Sequence, residues 1–334
     1  MSSLLRRAIV YAAIAAACLG AFALFAAYQA GRIERAHPPS GRFVDVDGGR
    51  LHVVVLGAAD ATPVVLLHGS STNLGDMRLA LGDRLAARFR VILIDRPGHG
   101  WSDRPDGRAD ASPARQAKLV RQALQRIGVT RPILVAHSWS GALATAYALS
   151  YPRDVAGLVL LAPVTHPWPE TSAWYDNIIS GLLAESARTA GAPVIGPLFA
   201  RTLALPLGEL LIGPAVQSVF APDAPPPDYL ARTGGALLLR PGAFAANAQD
   251  LAAIEDFVKA QAPNYLKIMT PAVIIAGDAD VTVPTSVHAE AIAAAMPNAK
   301  LIVLPGVGHM VHYAAPERIV AAIAELAETA RPIP

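Results

Sequence analysis

A serine stands alone where an apolar run ends and a stretch of small residues begins. The segment AHSWSG, residues 136–141, follows the apolar run PILV, residues 132–135. A serine on a sharp strand-to-helix turn is typical of a nucleophile that attacks carbonyl carbon, and the usual motif is G-x-S-x-G. Here Ala136 and Ser140 occupy the glycine positions, and both are small enough for a tight turn. Ser138 is therefore the candidate nucleophile, and an ordinary structural serine is the alternative.

A serine hydroxyl needs a base that takes its proton and a carboxylate that orients that base. Candidates for both roles follow two later apolar runs. The acid is Asp280 or Asp278 in the segment GDAD, and the base is His309 at the end of the segment GVGH. His312, three residues further on, is interpreted as a surface residue at the start of a helix. The order serine, aspartate, histidine along the chain suits a hydrolase.

The elements that must position these residues are short apolar runs, rich in β-branched residues and bounded by proline or glycine. Such runs indicate strands buried on both faces of a parallel sheet. They cover residues 42–46, 50–56, 64–67, 91–94, 133–135, 157–161, 273–275 and 301–304. Helical patterns cover residues 76–88, 112–127, 140–150, 286–296 and 316–329. The alternation predicts that the candidate residues meet at one edge of the sheet.

Five polar segments at strand ends together resemble the α/β-hydrolase superfamily, in its cap-bearing serine hydrolase branch. They are AHSWSG, GDAD and GVGH, with HGSSTN at 68–73 and DRPGHGWS at 95–102. The match covers roughly residues 41–164 and 264–330. The resemblance implies a mostly parallel eight-stranded sheet flanked by helices, with a helical cap between strands 6 and 7.

The resemblance also implies roles for individual residues. Ser138 is the expected nucleophile, Asp280 the acid and His309 the base, with Asp278 as the alternative acid. The oxyanion hole is expected from the backbone N–H groups of Ser70 and Trp139.

Residues beside the expected triad are assigned supporting roles. His68 and His137 are expected to hold loops by hydrogen bonds, and Arg96 and Arg104 to anchor loops through charge partners. The side chain of Trp139 is expected to line the acyl pocket, although simple packing is the alternative.

The N-terminus predicts a membrane anchor. No charged residue lies between Ala8 and Gly31, a length that suits a helix spanning the bilayer and exceeds a typical cleaved signal peptide. The charges of Arg6 and Arg7 favour a cytoplasmic N-terminus and an extracytoplasmic catalytic domain. A cleaved signal peptide is the main alternative.

The division expected from these patterns has four parts. The membrane anchor and flank cover residues 1–35, the first part of the core 36–164, the helical cap 165–262 and the second part of the core 263–334. The 334 residues carry a net charge of +2, which gives no strong electrostatic case for nucleic acid. The single cysteine, Cys18, excludes an internal disulfide and a cysteine-based zinc site.

The expected function is hydrolysis of a lipophilic carboxylic ester through an acyl-enzyme on Ser138, without metal or organic cofactor. A C–C bond hydrolase of ring-cleavage products is the alternative enzyme, and Arg201, Arg232 and Arg240 are its candidate substrate-binding residues. Acyl transfer to an alcohol and a non-catalytic ligand-binding protein also remain open. The sequence does not predict the oligomeric state.

Overall fold

The computed structural model describes residues 2–169 and 195–329, and its central element is one eight-stranded sheet. The strands are β1 (Arg42–Val46), β2 (Gly49–Leu56), β3 (Pro63–Leu67), β4 (Arg90–Ile94), β5 (Ile133–His137), β6 (Gly157–Leu161), β7 (Ala272–Gly277) and β8 (Ala299–Leu304). Their order across the sheet is β1-β2-β4-β3-β5-β6-β7-β8. The pairs β1–β2 and β2–β4 are antiparallel, and all other pairs are parallel. The predicted mostly parallel sheet of eight strands is confirmed.

The central strands are buried on both faces, because helices cover each side of the sheet. In β3, the side chains of Val65 and Leu67 belong to one hydrophobic cluster and those of Val64 and Leu66 to the other. This alternation follows from the two-residue period of a strand. A chain segment that must be apolar on both faces reads as a continuous apolar run, which is why these strands were visible in the sequence.

The α-helices of the described residues lie between and around the strands. They are α1 (Ser3–Ala36), α2 (Leu74–Met77), α3 (Asp83–Ala86), α4 (Pro113–Arg126), α5 (Ser140–Ser150), α6 (Ile195–Thr202), α7 (Ala204–Phe220), α8 (Tyr229–Thr233), α9 (Pro241–Gln261), α10 (Ala289–Ala295), α11 (Val311–Ala314) and α12 (Pro316–Thr329). The helix predicted over residues 76–88 is interrupted, since a π-helical turn at Arg78–Gly82 separates α2 from α3.

A helical region separates β6 from β7, in agreement with the predicted cap between strands 6 and 7. Helices α6 to α9 lie in it, followed by a 3₁₀ turn at Ala262–Lys267. Residues 170–194, which the sequence places in the cap, lie outside the described residues. The long helix α9 packs against the 3₁₀ turn Gly107–Ala111 and against α5, so it joins this region to the sheet.

Helix α1 is 34 residues long, and by length and composition it is able to cross a membrane. Its N-terminal part has exposed apolar side chains, for example Tyr11 and Leu24. Its C-terminal part packs against α6 and α7, where Ala26 is fully buried beside Leu205 and Leu239. The predicted anchor is therefore in direct contact with the helices between β6 and β7.

Candidate active site

Ser138 lies on a strained turn between β5 and α5. Its φ of 53° is in the left-handed region, which is uncommon for a residue with a side chain. The backbone around it is fixed: Ser138 N–H donates to Leu161 O at 2.9 Å, and Gly141 N–H donates to Ser138 O at 2.8 Å. Strain that surrounding bonds maintain is typical of a functional position.

The two departures from the glycine motif have different consequences. Ala136 is the fully buried fourth residue of β5, where its methyl group is part of the core. The hydroxyl of Ser140 donates to His68 O at 2.5 Å, so this side chain ties the start of α5 to the loop after β3. Gly141 is the position that admits no side chain, since a Cβ there would lie 2.5 Å from Pro163 Cβ.

An acid–base pair lies at the ends of β7 and β8. His309 Nδ1 donates to Asp280 Oδ2 at 2.8 Å, and both side chains are almost completely buried. The other oxygen of Asp280 accepts the N–H groups of Thr282 and Val283, each at 2.8 Å. Because these bonds fix the carboxylate, it orients the imidazole with Nε2 pointing away from it.

The alternative acid has a different place in the structure. Asp278 is exposed, and its Oδ1 accepts the N–H of Gly306 at 2.6 Å, so it caps the turn before His309. The structure therefore brings Asp280, rather than Asp278, to the candidate base.

The candidate nucleophile and base are neighbours through His137, the residue before Ser138. The Nε2 of His137 donates to His309 O at 3.2 Å, and the two rings are 4.8 Å apart between centroids. Within the described residues, Ser138 Oγ and His309 Nε2 do not form a hydrogen bond. Such bonds are often long without substrate and shorten in the reacting complex.

The loop after β3 lies directly against the nucleophile. A Cβ on Gly69 would be 3.1 Å from Ser138 Cβ and 3.0 Å from His137 Nδ1, so a side chain there would crowd both residues. In the part of the chain that the structure describes, the N–H groups of Ser70 and Trp139 donate to no protein acceptor. Two unused donors beside a serine hydroxyl suit the stabilisation of an oxyanion.

His68 and Arg96 hold this loop in place. The N–H of Arg96 donates to His68 Nε2 at 3.0 Å, so the proton of His68 is on Nδ1, which donates to Gly69 O at 2.8 Å. Burial lowers the pKa of His68 well below its usual value and keeps the ring neutral. The guanidinium of Arg96 donates to the carbonyl oxygens of His68 and Gly69. The predicted loop-holding roles of these two residues agree with these contacts.

Asp250 on α9 is the partner that the sequence could not identify. Its buried carboxylate accepts Arg96 Nη1 at 2.6 Å, Arg104 Nη1 at 2.8 Å and His99 Nε2 at 2.9 Å. Burial opposes ionisation, but the bond from His99 and the positive charge of Arg96 outweigh it and lower the pKa of Asp250. Burial, with the charge of Arg96 beside it, lowers the pKa of His99 to about 4. This ionic cluster joins α9 to the loop after β4.

Two predictions about side chains are wrong. In the part of the chain that the structure describes, Trp139 takes the packing role that was the alternative: its ring is in the core under the guanidinium of Arg96, 4.1 Å from the ring centroid, and its Nε1 donates to Asp250 O. His312 is not a surface residue: it is fully buried, and its Nε2 lies 3.0 Å from Asp76 Oδ2. Asp76 precedes His312 by 236 residues, so no local pattern indicated the contact.

The three arginines considered for an acidic substrate do not contact the triad. Arg240 pairs with Glu34 at 3.1 Å and also donates to Gly100 O. Arg232 borders a cleft of ≈ 440 Å³ that His37 and Trp101 also line, and Ser138 is not among its lining residues. Arg201 is exposed on α6.

Among the described residues, one group has ligand atoms close enough to hold a metal ion. Asp76, His137 and His312 offer three such atoms within 4.8 Å of one another, and all three side chains are buried. Asp76 and His312 are already bonded directly, and His137 donates to His309 O.

Comparisons with known proteins agree with this architecture. A family model described as alpha/beta hydrolase fold matches residues 62–316. An uncharacterised protein of Mycobacterium tuberculosis is 28% identical over 306 residues, which are 88% of this chain and 83% of the relative.

Two solved structures are similar in fold. One is a membrane phospholipase A described as a bacterial virulence factor, with a TM-score of 0.68 at 22% identity, and the match covers 99% of both chains. The other is a meta-cleavage product hydrolase of Pseudomonas fluorescens, with a TM-score of 0.67 at 19% identity over 87% of this chain and 98% of the other.

Proposed function

This chain belongs to the α/β-hydrolase fold family, and we propose that within it the chain is a serine hydrolase that cleaves a lipophilic carboxylic ester. The observation that carries the proposal is the arrangement around Ser138. Ser138 lies on a strained turn, with φ of 53°, and directly follows His137, whose ring centroid is 4.8 Å from that of His309. The Nδ1 of His309 is bonded to the buried carboxylate of Asp280 at 2.8 Å. A purely structural serine has no need of either feature.

The proposed reaction begins with attack of Ser138 Oγ on the ester carbonyl carbon. His309 Nε2 takes the hydroxyl proton, and Asp280 stabilises the resulting imidazolium through the bond to Nδ1. The tetrahedral intermediate then collapses, and His309 gives the proton to the departing alcohol. Water, activated by the same nitrogen, hydrolyses the acyl-enzyme and releases the carboxylic acid.

The developing negative charge falls on the former carbonyl oxygen. We assign the N–H groups of Ser70 and Trp139 to this oxygen, because both are free of protein acceptors in the described structure. One such donor is worth about 3–4 kcal/mol of transition-state stabilisation. The bonds from Arg96 and Ser140 to the loop keep the Ser70 donor in place before substrate arrives.

We propose that the ester is presented at a membrane. The support is the contact of the anchor with the helices between β6 and β7: Ala26 packs on Leu205 and Leu239, and Gln29 donates to Glu209 at 3.2 Å. Ala26 and Gln29 lie near the C-terminal end of the uncharged stretch of α1. Their contacts would therefore hold these helices close to the membrane surface. A protein of similar fold is described as a membrane phospholipase A. In this proposal the anchor has its N-terminus in the cytoplasm.

We propose that the chain is divided into an anchor, a cap and a hydrolase core. Residues 1–35 form the anchor and its flank, residues 165–262 the cap over the site, and residues 36–164 and 263–334 the hydrolase core.

The test is hydrolysis of p-nitrophenyl esters, from acetate to palmitate, by the full-length chain in detergent. We expect turnover that is lost in S138A and retained in S150A, a control at an exposed serine on the same helix α5. Maximal kcat/KM with a medium or long acyl chain supports the lipophilic substrate.

If S138A keeps the wild-type rate, Ser138 is not the nucleophile. If the folded wild type hydrolyses ring-cleavage diketones and no ester, the C–C hydrolase alternative replaces this proposal.

A further inference from the structure

Another buried pair of aspartate and histidine lies close to the proposed catalytic base, joined to it through His137. His312 Nε2 donates to Asp76 Oδ2 at 3.0 Å, and neither side chain has any exposed surface. The pair resembles His309 and Asp280 in chemistry, but the proposed mechanism does not use it. A buried, bonded pair of this kind next to an active site calls for a physical reason.

The carboxylate of Asp76 also accepts hydrogen bonds from two tyrosine hydroxyl groups. Its Oδ1 accepts the hydroxyl of Tyr229 at 2.8 Å and that of Tyr313 at 3.0 Å. Burial opposes ionisation, but the imidazole of His312 and the surrounding donors outweigh it and lower the pKa of Asp76. Asp76 is thus an ionised anchor that joins α2, the helix α8 and the helix that follows His309.

His137 connects this pair to the proposed base. Its ring lies 4.3 Å from that of His312 and 4.8 Å from that of His309, measured between centroids. Its Nε2 donates to the backbone carbonyl of His309 at 3.2 Å. Burial lowers the pKa of His137 well below its usual value, so the ring is neutral and packs between its two neighbours.

The arrangement has a cost that packing alone does not explain. Among the described residues, the Nδ1 atoms of His137 and His312 are buried and have no hydrogen-bond partner. Unsatisfied buried polar atoms are rare, and apolar side chains of the same size would fill this space more stably. The row of polar side chains Asp76, His312 and His137 is therefore better explained by the need to fix the position of His309, which lies at the end of this row.

We propose that Asp76 and His312 are positioning residues that fix His309, through His137, at the distance from Ser138 that the reaction requires. The inference rests on the proposed function, since it assigns His309 as the base. The hydrogen bond from His137 Nε2 fixes the position of the His309 backbone carbonyl. The ring of His312, which Asp76 holds in place, prevents the ring of His137 from rotating away.

The test compares D76N and H312Q with H52Q in the full-length protein, using the ester that the wild type hydrolyses best. His52 provides the matched control, because its Nδ1 is paired with buried Asp95 at 2.7 Å and it does not contact the triad. We expect kcat to fall roughly tenfold or more in D76N and H312Q, because small displacements of a catalytic group cost large factors in rate. The KM should stay within about twofold, and H52Q should keep wild-type kcat.

A second measurement separates positioning from substrate binding. The rate at which a small fluorophosphonate labels Ser138 depends on the base but makes little use of the acyl pocket. It should fall in D76N and H312Q in parallel with kcat. Y313F, which removes one hydrogen bond from Asp76 and keeps the ring, should have a smaller loss and provides the answer if D76N does not fold.

The outcomes are distinguishable. If S138A is inactive while D76N, H312Q and Y313F keep the wild-type kcat and labelling rate, the positioning role is wrong and the proposed function stands. If S138A is active, the proposed function itself fails. A rise in KM at unchanged kcat would also overturn the positioning role. So would one bound metal ion per wild-type chain whose removal by a chelator abolishes activity.

Discussion

Asp250 is predicted to be the most important charged residue for stability outside the proposed triad. The variant D250N keeps the size of the side chain and removes its charge. In this variant Arg96, which has no exposed surface, loses the only carboxylate that lies within 4 Å of it among the described residues. Arg104 loses the same partner, but 12% of its side chain is exposed to water.

The magnitude follows from the burial of the pair. Removing one member of a buried ion pair typically costs about 3–5 kcal/mol, because the other charge remains buried and unpaired. For a chain of this size that corresponds to a fall in Tm of roughly 5–15 °C. The exposed pair of Lys300 and Glu325 provides the control: E325Q should cost less than about 1 kcal/mol.

The assay is thermal unfolding of the full-length protein in detergent, followed by circular dichroism at several pH values. The pKa of Asp250 is lower in the folded protein, so its contribution is complete above the unfolded value of 3.8 and is lost as pH falls towards the folded value. The difference in Tm between wild type and D250N should therefore be largest near neutral pH and shrink below about pH 4. A D250N protein that melts within about 2 °C of wild type at pH 7 would show that Asp250 does not stabilise the fold to this extent.

Three further variants test the site and the anchor. G69A should reduce kcat about a hundredfold with little change in Tm, because its Cβ would lie 3.1 Å from that of Ser138; steady-state kinetics with wild-type kcat would contradict this. S140A should lower kcat severalfold and unfolding free energy by about 1 kcal/mol, since it removes the bond to His68 O, and denaturant titration measures the latter. A chain lacking residues 2–24 keeps the packed part of α1 and should move from the carbonate-resistant membrane fraction to the supernatant, whereas continued membrane retention would contradict a single N-terminal anchor.

The sheet was predictable from the sequence because burial on both faces leaves a direct signature. Strand β5 and helix α5 were predicted to within two residues, and the nucleophile candidate follows from their junction. The acid–base candidates were also visible, since each follows an apolar run at the same sheet edge. The catalytic roles of these residues and the domain limits stay predictions.

The ionic contacts inside the fold were not predictable, because their partners are far apart in the chain. Asp250 follows Arg96 by 154 residues, and its helix α9 carries no periodic signal that marks one carboxylate as buried. His312 was misinterpreted for the same reason, since Asp76 lies on a different element. The ring of Trp139 was misplaced because the sequence does not show that Arg96 covers it.

Covalent labelling of the Ser138 hydroxyl shows whether this residue is an activated nucleophile. The full-length protein would be treated with a fluorophosphonate and digested, and the adduct located by mass spectrometry. We expect one adduct per chain on Ser138, with labelling at least a hundredfold slower in H309A, because that variant lacks the base. Folded wild-type protein that remains unlabelled, or an adduct at another serine, would contradict it.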